Sequence, residues 1–356
     1  MTQVWQIAAG DRGRNYSDLF LKHDIMFMGP GAYGDYKANK DAYRTVSHKP
    51  QLKRFASDVK QGDIILLRFC HCVVAIGKVS EEGYKWNEVF DDVFGWDLQH
   101  THRVIWQDHL TEKIQEIQKN KELFGERKQQ PAFTAVKDRP VLEKIEHLFE
   151  HCKARPLRPI PEGLPEPLKP EELGEELFSK GLPNESVDKV LMAIQRQRRL
   201  AKWYEEHGKK SKRPTEHEVV AHMILPFLLA LGWSEQLLAV EWHKIDLTAF
   251  WRTPTTPENC CLICEAKGLG HGLQNTFTQA TSYAAKFKLS NCKRIALTDG
   301  TRIYLYEKLT NGRWNETPVG YLNIQLIRTN HLAPANTNAV DTIIGLTPAG
   351  INREVG

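Results

Sequence analysis

The chain has 356 residues, of which 41% are hydrophobic and 26% charged, enough for two separately packed cores. No apolar run approaches the ~20 residues needed to cross a bilayer, which excludes a membrane protein, and the opening MTQVWQIAAG lacks the pattern of a secretion signal, so a cytoplasmic protein is expected. A net charge of +4 is too small to name a partner by itself, and seven cysteines, an odd number in apolar or strand-like contexts, argue against a disulfide framework.

In chain order, short apolar segments at Val4–Ala8, Ile64–Arg68, Val73–Gly77 and Arg103–Trp106, separated by turn signals at Gly29–Pro30, Gly62–Asp63 and Glu82–Gly83, predict a small β-barrel. Helical periodicity at Tyr16–His23 and Leu52–Lys60 adds helices outside it. Leu110–Phe124 and Val141–Cys152 read as charged amphipathic helices, and the six prolines between Arg155 and Pro170 read as a semi-rigid hinge. A helical stretch from Glu171 to His207 follows.

Between Arg196 and Arg213 lie Arg196, Arg198, Arg199, Lys202, Lys209, Lys210, Lys212 and Arg213 against only Glu205 and Glu206, with Trp203 and Tyr204 among them. This segment is either a grip for phosphates or a solvated basic helix and linker. The expected division is a domain at 1–135, a helical and proline-rich linker at 136–210, a second domain at 211–330 and a tail at 331–356, whose apolar patch Val340–Leu346 has no assignment.

The second domain carries the chemistry. Thr215 caps an amphipathic helix with Glu216 and Glu218 in its first turn, Pro226 in its middle and Gly232–Trp233 at its end. A strand at Lys244–Leu247 sets Asp246 between apolar neighbours, and the next, Leu262–Lys267, places Glu265 and Lys267 two apart and so on one face. Two carboxylates converging at adjacent strand ends suit Mg²⁺, with Mn²⁺ as a substitute, and a neighbouring lysine can orient or activate a water. This is the pattern of a phosphodiesterase. Cys260, Cys261 and Cys264 with His271 are read as buried core thiols rather than a zinc site.

The order of these segments, from about Thr215 to Leu309, resembles the PD-(D/E)XK nuclease domain found in the motor subunits of type I restriction enzymes. Glu216, Ile224, Pro226, Leu228 and Leu231–Trp233 match its first helix, Asp246 its catalytic Asp, and Glu265–Lys267 its Glu-Ala-Lys triplet. Gln279 and Tyr283 match its Gln-x-x-x-Tyr helix, and Arg294–Gly300 its late strand and turn. The resemblance implies catalytic roles for Glu216, Asp246, Glu265, Lys267 and Gln279, with Asp246, Glu265 and Glu216 around the metal. Gln279 would touch the phosphate or the attacking water, and Tyr283 either joins it or packs in the core. Either Glu216 or Glu218 can face the metal; spacing favours Glu216, because Val220, Met223 and Phe227 continue its helical stripe.

The N-terminal segment resembles the EVE-like members of the PUA superfamily. The resemblance rests on Val4–Trp5 leading into Ala9–Gly13, on the helix Tyr16–His23, on Phe55 with Gly62–Asp63, on Ala75–Val79, and on Phe90–Leu98 before Arg103–Trp106. It implies a reader that extracts a modified base into an aromatic pocket. Trp5, Trp86, Phe90 and Trp96 are the candidate walls, with Asp63, Asp91, Asp92 and Asp97 as hydrogen-bonding partners. Arg12, Arg14, Lys37, Arg44, Lys53 and Arg54 are candidates for the flanking phosphates, and Lys209, Lys210, Lys212 and Arg213 for the DNA backbone near the nuclease.

The fold class expected is therefore an α/β restriction-endonuclease-like core, a mixed sheet flanked by helices, behind a PUA/EVE-like β-barrel with helices. The function expected is a modification-dependent, type IV-like restriction endonuclease. Its partner would be double-stranded DNA carrying a modified base, with modified cytosine the base expected. One active site cuts one strand, so a homodimer is expected on DNA. The alternatives are an RNA- or nucleotide-sensing phage-defence effector nuclease and a catalytically silent DNA-binding protein.

Overall fold

The computed structural model describes all residues except 1, 12–13, 45, 47–48, 71, 111–112, 114–130, 209–212, 274 and 353–356, and only the backbone of 11, 14 and 352. The chain forms two compact units, residues 1–163 and 164–356. Each contains a six-stranded mixed sheet, which makes this an α/β protein.

In the N-terminal unit, β1 (Val4–Ala8), the short pair β2 (Gly10–Asp11) and β3 (Arg14–Asn15), and α1 (Ser17–Lys22) precede β4 (Ile25–Met28). Next come α2 (Lys49–Ser57), β5 (Ile64–Phe69), the long β6 (Cys72–Trp86), β7 (His100–Trp106), β8 (Phe133–Ala135) and α3 (Arg139–Phe149). The sheet runs β4-β7-β6-β5-β1-β8, with β1 parallel to β5 and the other neighbours antiparallel. The expected barrel does not form. The two edge strands are only four and three residues long, and the described pairings leave the sheet open between them.

Alternation along β1 explains the two faces of this sheet. Val4 packs with Ile64, Leu66 and, from α3, Val141, Ile145 and Leu148. Trp5, one residue on, stacks on Phe133 with centroids 5.1 Å apart, and Phe133 meets Phe55 of α2.

The helix expected in the linker at Val141 thus belongs to this core. So does the first half of the expected hinge: Arg155 donates to both oxygens of the buried Asp24 at 2.5 and 2.6 Å, and the Arg158 N–H donates to the same carboxylate at 2.8 Å. A buried acid needs such partners, and these arginines supply them. Most of the helix expected at Leu110–Phe124 lies outside the described residues.

The C-terminal unit opens with α4 (Pro170–Ser179) and α5 (Asn184–Trp203), followed by one capped helix in three pieces: α6 (Glu216–Val219), a π-helical turn Val220–Ile224, and α7 (Leu225–Ala230). The wide turn sits just before Pro226, which has no N–H to continue the ladder. Gly232, at φ +97°, closes the helix, as Trp233 N–H donates to Leu228 O at 3.2 Å and Gly232 N–H to Leu229 O at 3.1 Å.

The sheet then forms from β9 (Leu238–Trp242), β10 (Ile245–Phe250), β11 (Cys260–Ala266), β12 (Arg294–Thr298), β13 (Arg302–Glu307) and β14 (Gly320–Asn323), in the order β14-β13-β12-β11-β10-β9. Only β11 and β12 are parallel, and α8 (Thr276–Lys286) lies between them in the chain.

Leu173 and Leu177 of α4 and Val187, Val190 and Ile194 of α5 share a core with Phe227, Leu247, Leu262 and Ile303. These helices, expected in the linker, are therefore walls of the second domain. The expected tail is too: α9 (Ala339–Gly345) and α10 (Pro348–Asn352) bring Val340, Ile343 and Ile351 into the same core, and Trp233 Nε1 donates to Leu346 O at 2.8 Å. Among the described residues no helix is long and apolar enough to cross a membrane.

Candidate active site

The register of β10 and β11 builds the site. Leu247 pairs with Cys264, so the next antiparallel step sets Asp246 opposite Glu265 on one face of the sheet. Asp246 Oδ2 accepts the Ala266 N–H at 2.7 Å, pinning that carboxylate to the strand end. Glu265 is 1% exposed; its Oε2 accepts from Gln279 Nε2 of α8 at 3.2 Å, and its Oε1 is buried without a hydrogen-bond partner. Gln279 Nε2 also lies 3.3 Å from the Tyr283 hydroxyl, so the Gln-x-x-x-Tyr pair acts together on Glu265.

Lys267 leaves the strand with its N–H on Thr298 O at 2.8 Å, and its Nζ lies 3.3 Å from Glu216 Oε2. The two acids of the first helical turn are thereby told apart. Glu218 completes the cap, receiving the Thr215 N–H at 2.9 Å while its own N–H donates to Thr215 Oγ1 at 3.2 Å, and it pairs with Arg213. Glu216 has the neighbour that matters, Lys267.

Burial, with Asp246 nearby, pushes the Glu265 carboxyl up to about 8, and burial raises Asp246 as well. Two acids that resist ionisation side by side, one with an unpartnered buried oxygen, are a donor set suited to a hard divalent cation. Glu216 turns to Lys267 instead. Among the described residues no three His, Cys, Asp or Glu side chains form a metal-holding group, so Glu216 is not gathered with Asp246 and Glu265 into the expected three-acid cluster. Cys260, Cys261 and Cys264 are buried free thiols, and burial raises Cys264.

Asp299 is a residue that the sequence pattern placed in a turn without giving it a task. Its Oδ1 accepts from Thr301 and Arg302 N–H, and its Oδ2 from Arg302 Nε and from Gly270 N–H at 3.0 Å. It thus ties the loop that follows Lys267 to the end of β12. The signal available was the acid–arginine spacing of three across the Thr-Asp-Gly turn. At Gly300, φ +91°, a Cβ would sit 2.5 Å from Met223 Sδ, so this turn packs directly on the π-helical turn.

The candidate base pocket is not assembled as expected. Trp5 Nε1 donates to Asp63 Oδ2 at 2.8 Å, and Asp63 also accepts from the N–H groups of Gln3 and Lys60, so both residues serve the fold. Phe90 is fully buried against Phe27.

Trp86 and Asp97 do meet, around Gly31. Trp86 Nε1 donates to Gly31 O at 2.9 Å, and Asp97 Oδ2 accepts from Gly31 and Ala32 N–H at 3.1 Å each. Trp96 is half-buried in a tight Val93–Trp96 bridge.

Beside them is a cluster that sequence reading missed: His100 Nε2 contacts the Tyr43 hydroxyl at 3.0 Å, His100 Nδ1 contacts that of Tyr84 at 2.7 Å, and Lys37 lies over the Tyr84 ring. Burial holds His100 down at about 4, hence neutral. Arg44 pairs with Asp41. Arg12, Lys209, Lys210 and Lys212 lie outside the described residues, as does the side chain of Arg14, while Arg213 is engaged by Glu218.

Fold and site together define an α/β protein whose second sheet carries paired acids and a lysine at its strand ends. Residues 5–126 match the model of a domain of unknown function (DUF8426). No curated protein and no solved structure matches the chain.

Proposed function

We propose that the C-terminal unit is a Mg²⁺-dependent nuclease of the restriction-endonuclease type acting on DNA, and that the chain is a modification-dependent restriction endonuclease with the N-terminal unit as its EVE/PUA-like reader. The observation that carries the nuclease reading is the cross-strand pair Asp246–Glu265, with an unpartnered buried Glu265 oxygen and Lys267 two residues further on. Asp246 and Glu265 would hold the ion, which when bound polarises the scissile phosphate and acidifies a water. Mn²⁺ has the same oxygen preference.

The protein's own groups do the rest. Gln279 fixes the Glu265 carboxylate through Oε2 and leaves Oε1 to face the ligand. The Lys267 ammonium, a mobile point charge with three donors, exchanges Glu216 for a phosphoryl oxygen or the attacking water. The backbone N–H of Ala266 keeps Asp246 from turning away. One such site cuts one strand, so two copies are proposed to act on a duplex.

The reader role rests on the resemblance and on the partly exposed Trp86 and Trp96 near Asp97, now without Trp5, Asp63 and Phe90. The test is to incubate the protein and its Lys267→Ala variant with Mg²⁺ on matched unmodified, cytosine-methylated, hydroxymethylated and adenine-methylated DNAs. Cutting of a modified DNA alone, absent in the variant, supports both parts. Equal cutting of all DNAs removes the reader, and binding without cutting removes the nuclease. RNA cleavage independent of Mg²⁺ would favour an RNA-directed effector.

A further inference from the structure

Four residues of α5, Met192, Arg196, Arg199 and Trp203, recur at spacings of four, three and four, which places them on one helical stripe. All are exposed, Met192 at 70% and Trp203 at 45%. Arg196, Arg199, Leu200 and Trp203, with His222 from the π-helical turn, line an open groove of about 460 Å³. Neither arginine has an ion-pair partner among the described residues.

The groove shares a capped helix with Glu216 of the candidate active site. Arg213 lies 5.8 Å over the Trp203 ring and pairs with Glu218, two residues from Glu216. His222, whose Nδ1 lies 3.1 Å from the Tyr204 hydroxyl, stands on the same helix as Glu216, six residues on, a rise of roughly 9 Å.

Unpaired guanidinium groups interleaved with an exposed indole suit one ligand unit: a phosphate for the arginines and a base face for the ring. A second copy of the chain fits poorly, because a two-fold contact through this stripe would set arginine against arginine.

We infer that this groove holds a single strand of the nucleic acid, with phosphates on Arg196 and Arg199 and an unstacked base on Trp203, and leads it to the Asp246–Glu265 site. The inference rests on the nuclease reading for its destination and on the groove itself for its ligand. An unstacked base is what a strand end or a locally opened duplex presents, so the groove favours such DNA over a closed duplex.

The experiment is fluorescence anisotropy of a short labelled single-stranded oligodeoxynucleotide in EDTA over a salt series. The full chain is compared with Trp203→Ala, Trp203→Phe and the double variant Arg196→Ala/Arg199→Ala. The expected results are affinity about 5- to 100-fold weaker for Trp203→Ala and largely kept for Trp203→Phe. The double variant should show a log–log salt slope shallower by about 1.4.

Binding by all variants equal to the parent overturns the groove, as does a parent that binds no strand. Equal competition by free AMP overturns the strand in favour of a nucleotide ligand. Parallel Mg²⁺ cleavage assays separate the two readings: a parent that cuts while its groove variants bind normally loses only the groove. A parent that cuts nothing while its groove variants lose binding loses only the nuclease.

Discussion

In the N-terminal unit Asp63 receives three N–H donors and Asp97 two, whereas in the C-terminal unit Glu265, buried as deeply as Asp63, receives one donor on one oxygen and none on the other. Folding tends to satisfy buried polar groups, because an unpaired one costs about 1–3 kcal/mol or more when charged. An acid whose demands are met by its own chain is explained by the fold. An acid left short of partners at a strand end, beside a second acid, is explained by something that arrives later. Residue type alone made all three look alike.

The largest effect that sharpens this contrast is on turnover. Lys267→Ala and Glu265→Gln are expected to lower Mg²⁺-dependent DNA cleavage by about 10²–10⁴-fold with the fold retained by circular dichroism, while Asp63→Asn leaves cleavage by the folded protein within a few-fold. Cleavage that survives Glu265→Gln would break the comparison, since the unsatisfied acid would then have no task.

The second effect is on stability against pH. Glu265 goes from an ordinary value of 4.5 to about 8 in the folded protein. Below pH 4.5 it is protonated folded or unfolded; between 4.5 and 8 the folded carboxyl keeps a proton that the unfolded one has lost. Its contribution to stability is therefore fully present at low pH and lost as pH rises through 8. Asp246, also raised, adds a change of the same sign.

Thermal melts of the metal-free protein should thus fall by about 5 °C or more between pH 5 and pH 8.5. Mg²⁺ should restore more at the upper end, where the acids are charged, and Glu265→Gln should flatten the profile. A melting temperature indifferent to Mg²⁺ at high pH would count against the two-acid donor set.

What the sequence disclosed follows the physics of each element. Alternation is local, so the shared facing of Glu265 and Lys267 is legible from their spacing alone, and Thr215 announces its cap through side-chain chemistry. The choice between Glu216 and Glu218 was legible only as a preference of the helical stripe for Glu216, because it turns on which carboxylate folds back onto its own cap and which reaches a lysine 51 residues away.

An amphipathic helix states that it has an apolar face, not which sheet receives it. For that reason α4 and α5 passed for linker, and Val340–Leu346 for an unassigned patch. The Tyr43–Tyr84–His100 cluster was hidden by the wide spacing of its members, and the open edge of the first sheet by the absence of any local mark of strand closure.

A smaller effect separates fold from recognition within the N-terminal unit. Asp63→Asn turns one of the two acceptor oxygens into a donor, so either the Gln3 N–H or the Trp5 and Lys60 N–H groups lose their acceptor; this should cost roughly 1–3 kcal/mol in denaturant unfolding, without changing which modified DNA the folded protein prefers. Trp86→Ala, at a half-buried position beside Asp97, should do the reverse and weaken modified-base preference more than stability. If instead Asp63→Asn erases the preference at unchanged stability, satisfied acids also serve recognition, and partner count ceases to discriminate.

The smallest effect decides between neighbours. Glu218→Gln keeps a side-chain acceptor for the Thr215 N–H and loses only the charge facing Arg213, so stability should fall by about 0.5 kcal/mol or less and cleavage should stay within a few-fold. Glu216→Gln touches no cap and is half-exposed, so its stability should not change; but it leaves Lys267 without its carboxylate, and cleavage should drop roughly 10-fold with an altered pH profile. Both changes remove one negative charge from the same helical turn, but only Glu216 acts on Asp246 and Glu265, while Glu218 is paired with Arg213. A larger loss for Glu216→Gln therefore reports its contact with Lys267 together with its charge at the two acids. Equal losses would mean that the first turn acts only through its field, and a larger loss for Glu218→Gln would move the catalytic helix acid to the residue assigned here to the cap.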